Sequence, residues 1–146
     1  MAIKLVKGFS ESYKMYCGTS SSIVKDTIVC RNVAGGAGAA AIIPATAALL
    51  SVNLAGVAVN TPAATDEYVD VIPPMGQLWE IDTTSNTLST HLNKPNDLTD
   101  AATLANSTTI STAATQFFVS TEMVGATANK KMRGYLLGGN IPKALS

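Results

Sequence analysis

The chain reads as mainly β, and three observations predict it. Apolar, β-branched runs recur about every ten residues, separated by turn-forming Gly, Pro, Asn and Ser. Several runs alternate apolar with polar residues, the period of a half-buried strand. No long segment carries the apolar stripe of an amphipathic helix. The chain has 146 residues, 47% hydrophobic and 14% charged, which suits one domain. The expected architecture is a small β-barrel or β-sandwich with short helical turns. Residues 1–22 read as an extended N-terminal arm and residues 23–146 as a single β-rich domain.

In order along the chain, the polar start contains at most a short strand around Tyr13-Met15-Cys17, ended by the turn Gly18-Thr19-Ser20-Ser21-Ser22. Ile23 through Cys30 is short and β-branched, a strand with Lys25-Asp26 near its start. Gly35-Gly36-Ala37-Gly38 is a flexible turn, and Ala40 to Ile42 returns until Pro44 removes a ladder donor. Leu50, Val52 and Leu54 alternate with Ser51, Asn53 and Ala55; Gly56 shifts that phase as a β-bulge would, and Val57 and Val59 resume it. Tyr68 to Ile72 is a strand stopped by Pro73-Pro74, and Leu78 to Ile81 is the next. Leu98 through Ala105 predicts one or two helical turns capped by Asn96 or Asp97, and Thr108 to Ile110 is a possible pairing segment. Phe117-Phe118-Val119 and Met132 to Leu137 supply the last strands.

Composition narrows the function. Ten basic and ten acidic side chains give a formal net charge of zero, so the chain has no long-range field for a phosphate backbone and direct nucleic-acid binding is not expected. One His and two Cys provide no structural zinc set. Lys4 and Lys7 interrupt what would be the apolar core of a secretory signal, and Cys17 and Cys30 read as free, buried thiols. No charge occurs from Asn32 through Thr65, but Ala, Gly, Thr and Ser dominate that run and Pro44 and Asn53 break it. A membrane-spanning helix is therefore not expected. A surface poor in Lys and Glu, built from Thr, Ser, Asn and Ala, suits packing against other protein.

Candidate chemistry is sparse. Gly36-Ala37-Gly38-Ala39-Ala40-Ala41 fits G-x-G-x-x-A, yet Pro44 falls inside the helix the motif requires, and Asp66 comes too late to be its ribose acid. No cofactor is expected. Glu80 and Asp82 share one face of a strand, as paired carboxylates of a glycosidase could, or as the solvated face opposite Trp79 and Ile81. His91 is the only base of its kind and has no catalytic motif around it; a polar or partly buried structural role is the alternative. Trp79 could stack on a sugar or fill a core. Lys130-Lys131 with Arg133 could meet a partner's acidic strip or solvate a hairpin turn. Asn106-Ser107-Thr108 matches the glycosylation triplet and reads as a coincidence in a Ser/Thr-rich stretch. Neither catalytic nor metal-binding residues are assigned.

Leu54-Ala55-Gly56-Val57-Ala58-Val59, then Thr61-Pro62-Ala63-Ala64-Thr65, then Tyr68-Val69-Asp70-Val71, form an order that resembles the capsid decoration, or cement, proteins of tailed bacteriophages. Ile23 to Val29 sits where that group has a hydrophobic strand, and Phe117-Phe118-Val119 through Gly134-Tyr135 is similar to the last hairpin of small phage head proteins. The stretch from Thr83 to Ala114 departs from the compact members. The resemblance implies a β-barrel or β-sandwich subunit, often trimeric, on the outer surface of the virion. Its partner would be the major capsid protein, and its role would be to reinforce the shell across capsomer boundaries. Contact residues are expected in the arm, at Ile3, Leu5, Phe9 and Tyr13, and in an exposed loop near Trp79. The alternatives are a tail or fibre component, a surface adhesion module with carbohydrate affinity, and a small hydrolase.

Overall fold

The computed structural model describes residues 2–33 and 40–138, and its strands form two sheets. Numbered in chain order, the seven-stranded sheet holds β1 (Ile3–Lys7), β7 (Leu78–Thr83), β8 (Pro95–Asn96), β9 (Leu98–Asp100), β10 (Thr103–Leu104), β11 (Phe118–Met123) and β12 (Lys131–Leu136). The five-stranded sheet holds β2 (Tyr13–Tyr16), β3 (Ile28–Arg31), β4 (Ile42–Pro44), β5 (Leu54–Ala58) and β6 (Tyr68–Ile72), in the order β2-β6-β5-β3-β4. Neither sheet closes into a barrel. Among the described residues the only helical turns are 3-10, and no helix is long and apolar enough to cross a membrane.

β7 is the spine of the larger sheet. Its strict alternation buries Trp79, Ile81 and Thr83 and turns Glu80 and Asp82 outward. On one side it pairs antiparallel with β12, and on the other with β1 and then, in parallel, with β10. Gly134 in β12 permits that crowding, because a Cβ there would overlap the carbonyl oxygen of Val119 in β11. The inward side chains of both sheets meet in one core that includes Ile3, Trp79, Ile81, Leu104, Phe117 and Phe118 from the larger sheet and its flanks, with Ile28, Cys30, Leu54, Val57 and Ile72 from the smaller.

The smaller sheet is covered on both faces at its centre, in β3 and β5. Val29, Ala55, Ala58, Val69 and Val71 alternate with the residues just named and form a second core, closed by Cys17 and Ile23 from the segment after β2. This explains why β5 is buried at all five positions and shows no polar face. The expected bulge is present. Val29 faces Gly56 and Cys30 faces Leu54, so Ala55 is the extra residue. Gly56 has φ +142°, and a Cβ there would overlap the carbonyl oxygen of Ile72.

Several expectations change. The extended arm over residues 1–22 is not seen, because β1 and β2 are integral strands, one in each sheet. Residues 23–27 are not strand; Asp26 turns the chain at φ +64°, its N–H donating to Ala58 and its carbonyl accepting from Ile3. Leu50 caps and Val52 lies within a 3-10 turn over Ser51–Asn53, and both are exposed, so the strand begins only at Leu54. The helical turns expected over Leu98–Ala105 are instead the β9–β10 hairpin, whose turn is closed by the Asp100 carboxylate accepting from the Ala102 N–H. Thr108–Ile110 forms no strand. The Gly35–Gly38 turn and the glycines of the G-x-G-x-x-A match lie outside the described residues.

Candidate interaction surface

The aromatic residues divide sharply. Trp79, Phe117 and Phe118 are at most 1% exposed, whereas Tyr13, Tyr16, Tyr68 and Tyr135 are 53%, 39%, 53% and 40% exposed. Three of those tyrosines lie along one sheet margin. Among the described residues β2 is the terminal strand of the smaller sheet, paired only with β6, and its register sets Tyr16 opposite Tyr68 and Lys14 opposite Asp70. The Tyr16 and Tyr68 rings meet edge to face, 6.0 Å apart at 76°, and Tyr13 stacks on Phe9 at 6.5 Å. Lys14 reaches Asp70 at 3.4 Å with most of its side chain in solvent, an ion pair of small worth. Beside Tyr68 lies a cleft of about 250 Å³ lined by Lys14, Asn60, Asp66, Glu67 and Asp70.

The expected contact residues separate on this surface. Tyr13 is open. Leu5 and Phe9 are half-buried and pack against the main core. Ile3 is fully buried and registers with Ile81, and Trp79 is interior to β7, so neither can meet a partner from outside. The physical reason is their strand phase, since both point toward the facing sheet. The carbohydrate reading of Trp79 loses its exposed ring by the same fact.

The acid pair is part of a charge ladder. Across the outer face of the larger sheet, Lys4 registers with Glu80, Glu80 with Arg133, and Arg133 with Glu122. Arg133 bonds both Glu80 (3.3 Å) and Glu122 (3.5 Å), and Lys131 bonds Asp82 at 2.6 Å. Partial burial works against a charged Asp82, but the hydrogen bonds from Lys131 and the Ala2 N–H, with the Lys131 charge, hold its carboxyl below the usual range. The Asp82 hydrogen bond in turn raises Lys131, outweighing its burial. These groups complete one another, which is the solvated-face alternative. The basic cluster therefore turns Lys131 and Arg133 onto the chain's own acids, while Lys130 occupies the left-handed turn before β12.

His91 is buried, and desolvation followed by the Lys94 charge lowers its pKa. Its Nδ1 accepts from the Leu88 N–H at 3.2 Å and lies 3.1 Å from the Asn106 amide nitrogen. The two cysteines are free and buried, and burial pushes the Cys30 thiol up to about 12 against the opposing Arg31 charge. No group of three His, Cys, Asp or Glu that could hold a metal occurs among the described residues.

Sequence reasoning missed the polar residues that organise the long connections. Gln77, buried beside β7, donates to the carbonyls of Phe9 and Pro73 and accepts from the Met75 N–H, pinning two loops together. Asn96 binds Ser107 and Thr109. Asn106 accepts from the Ser85 N–H and donates to the Ser85 and Asn86 carbonyls, so its amide is engaged and the glycosylation triplet is structural. Their only sequence signal is an Asn or Gln in a connection, which is too common to single out. Thr84, Ser85, Asp97, Asn106 and Ser111 line a second cleft of about 350 Å³. No protein-family model matches the chain, and no curated protein does.

Proposed function

We propose that this chain is a structural virion subunit, a decoration protein that binds the outer face of a tailed-phage capsid and reinforces it across capsomer boundaries. The observation that carries the reading is the tyrosine margin. Tyr13, Tyr16 and Tyr68 are large amphipathic side chains left open along a terminal strand of the sheet, while Trp79, Phe117 and Phe118 are interior and Tyr135 is open on the larger sheet. Tyrosine is enriched at protein contacts because it buries much area with few rotatable bonds and keeps a hydroxyl for hydrogen bonding. An edge strand adds unpaired backbone donors and acceptors to the same margin.

The surface chemistry supports the same reading. The ladder on the larger sheet cancels its charges internally, so it gives little steering to a distant polyion. Contacts that are weak one by one suffice on a shell, because many copies engage a repeating surface and a subunit that spans a boundary gains from avidity. Pressure from packaged DNA must then break those contacts before the shell can open. In this reading the subunit is a homotrimer and its partner is the major capsid protein; no nucleic acid, membrane or cofactor takes part.

The test is co-sedimentation of the purified chain with heads of its own phage stripped of surface proteins. Saturable binding that raises the temperature of head rupture is the expected result. A chain that remains in the supernatant overturns the reading.

A further inference from the structure

Residues 84–94 link β7 to β8, and backbone hydrogen bonds hold the link near both ends. The Thr84 N–H donates to Leu104 and the Asn93 N–H to Ser120. Between those ends, the Thr87 N–H reaches Thr127 at 3.2 Å, the Ser85 carbonyl accepts from the Thr83 hydroxyl at 2.7 Å, and further fastening passes through side chains of His91 and Asn106.

The orientation of Asn106 is fixed. Its Oδ1 accepts from the Ser85 N–H at 3.0 Å, and its Nδ2 faces the carbonyls of Ser85 (3.1 Å) and Asn86 (3.3 Å). A flipped amide would set oxygen against two carbonyls and nitrogen against an N–H, losing all three bonds. The amide nitrogen therefore points at His91 Nδ1. The Leu88 N–H points at the same atom. With the Leu88 N–H donating to it and the Asn106 NH2 group packed against it, Nδ1 must carry its lone pair, and the ring is the neutral tautomer protonated at Nε2.

We propose that His91 is an acid-sensitive latch: a proton on Nδ1 meets the Leu88 and Asn106 donors, so the ring leaves and the segment between Ser85 and Leu92 opens. The proton comes from solvent and ends on the ring, and no other bond changes. The charge that acts on the ring is the Lys94 ammonium, which also opposes protonation, and no carboxylate offsets it. Asp97 lines the cleft that Asn106 shares but does not shift the ring's titration. Opening stays local because the flanking bonds of Thr84 and Asn93 join backbone groups that do not titrate. The inference is independent of any role in a virion.

The sign follows from linkage. The folded ring takes up its proton below the ordinary value of 6.5, so between the two values the open state binds more protons. Protection of the segment is whole above about pH 6.5 and falls by up to about tenfold per pH unit below it, until the folded ring itself titrates.

Two measurements on the intact chain test this. Nitrogen NMR at pH 7.5 should show Nδ1 unprotonated and Nε2 bearing the hydrogen; the opposite tautomer overturns the proposal. Hydrogen-exchange protection factors for Ser85 and Leu88 should fall between pH 6.5 and 5 while those of β11 and β12 hold, and His91→Asn, which keeps an acceptor near Nδ1 but cannot titrate, should remove the fall. Protection that is independent of pH, or lost equally in His91→Asn, overturns it. If His91→Asn does not fold, the tautomer and the wild-type profile still decide.

Discussion

The two sheets solve the same burial problem in opposite ways. The larger sheet has one apolar and one polar face, and its polar face carries the ladder in which Glu80, Asp82 and Glu122 are matched by Arg133 and Lys131. The smaller sheet hides both faces at its centre, one against the larger sheet and one beneath Cys17 and Ile23, so its inner strands hold few charges and its open groups gather at the β2 margin. A sheet with a solvated face satisfies its own charges. A sheet without one carries its exposed aromatic rings at its margin.

The largest effect expected from breaking this contrast lies in the shared core. Trp79→Ala removes the biggest fully buried side chain, which belongs to the core built by both sheets. Urea unfolding should show a loss of about 3–5 kcal/mol. Val71→Ala strikes only the thin second core. Two lost methyl groups and the small cavity should cost about 2 kcal/mol, and β11 and β12 should keep their exchange protection.

The charged face should respond less. Asp82→Asn should cost below about 1 kcal/mol near neutral pH, since the Lys131 ammonium is partly in solvent. The sign with pH is fixed by the lowered Asp82 carboxyl. As pH falls, the unfolded chain takes up this proton first, so the contribution is present above the ordinary 3.8 and is lost as pH drops through the folded value. Acid titration of wild type and Asp82→Asn should therefore converge at low pH. Smallest of all, Tyr68→Ser should shift stability by no more than about 0.5 kcal/mol, because the ring is half in solvent.

The same contrast explains what could be read in the sequence. β7 and β12 were legible because one wet face imposes alternation, visible in Leu-Trp-Glu-Ile-Asp-Thr. Glu80 and Asp82 could be placed opposite Trp79 and Ile81 for that reason. The valines and the phase break at Gly56 mark β5, although the alternation predicts too early a start, because Leu50 and Val52 are exposed turn residues. The polar start around Lys4 and Lys7 suggests an arm in solvent, whereas Ile3 and Leu5, flanking Lys4, fall on the inward phase of β1. Residues 84–111 gave least, because Asn and Ser side chains bonded to backbone groups hold them and such bonds have no period. Of the proposed surface only Tyr13 was foreseen. Tyr16 and Tyr68 come together through strand pairing 52 positions apart along the chain, a juxtaposition that local patterning does not encode.

The most direct measurement compares wild type with a Tyr13→Ser, Tyr16→Ser, Tyr68→Ser triple variant, each confirmed to be folded by its unfolding curve, for retention on stripped heads of the same phage. The account predicts saturable retention of wild type and at least a tenfold weaker affinity for the variant. Equal retention of the two would remove the tyrosine margin as the contact, and failure of wild type to bind would contradict the virion role itself.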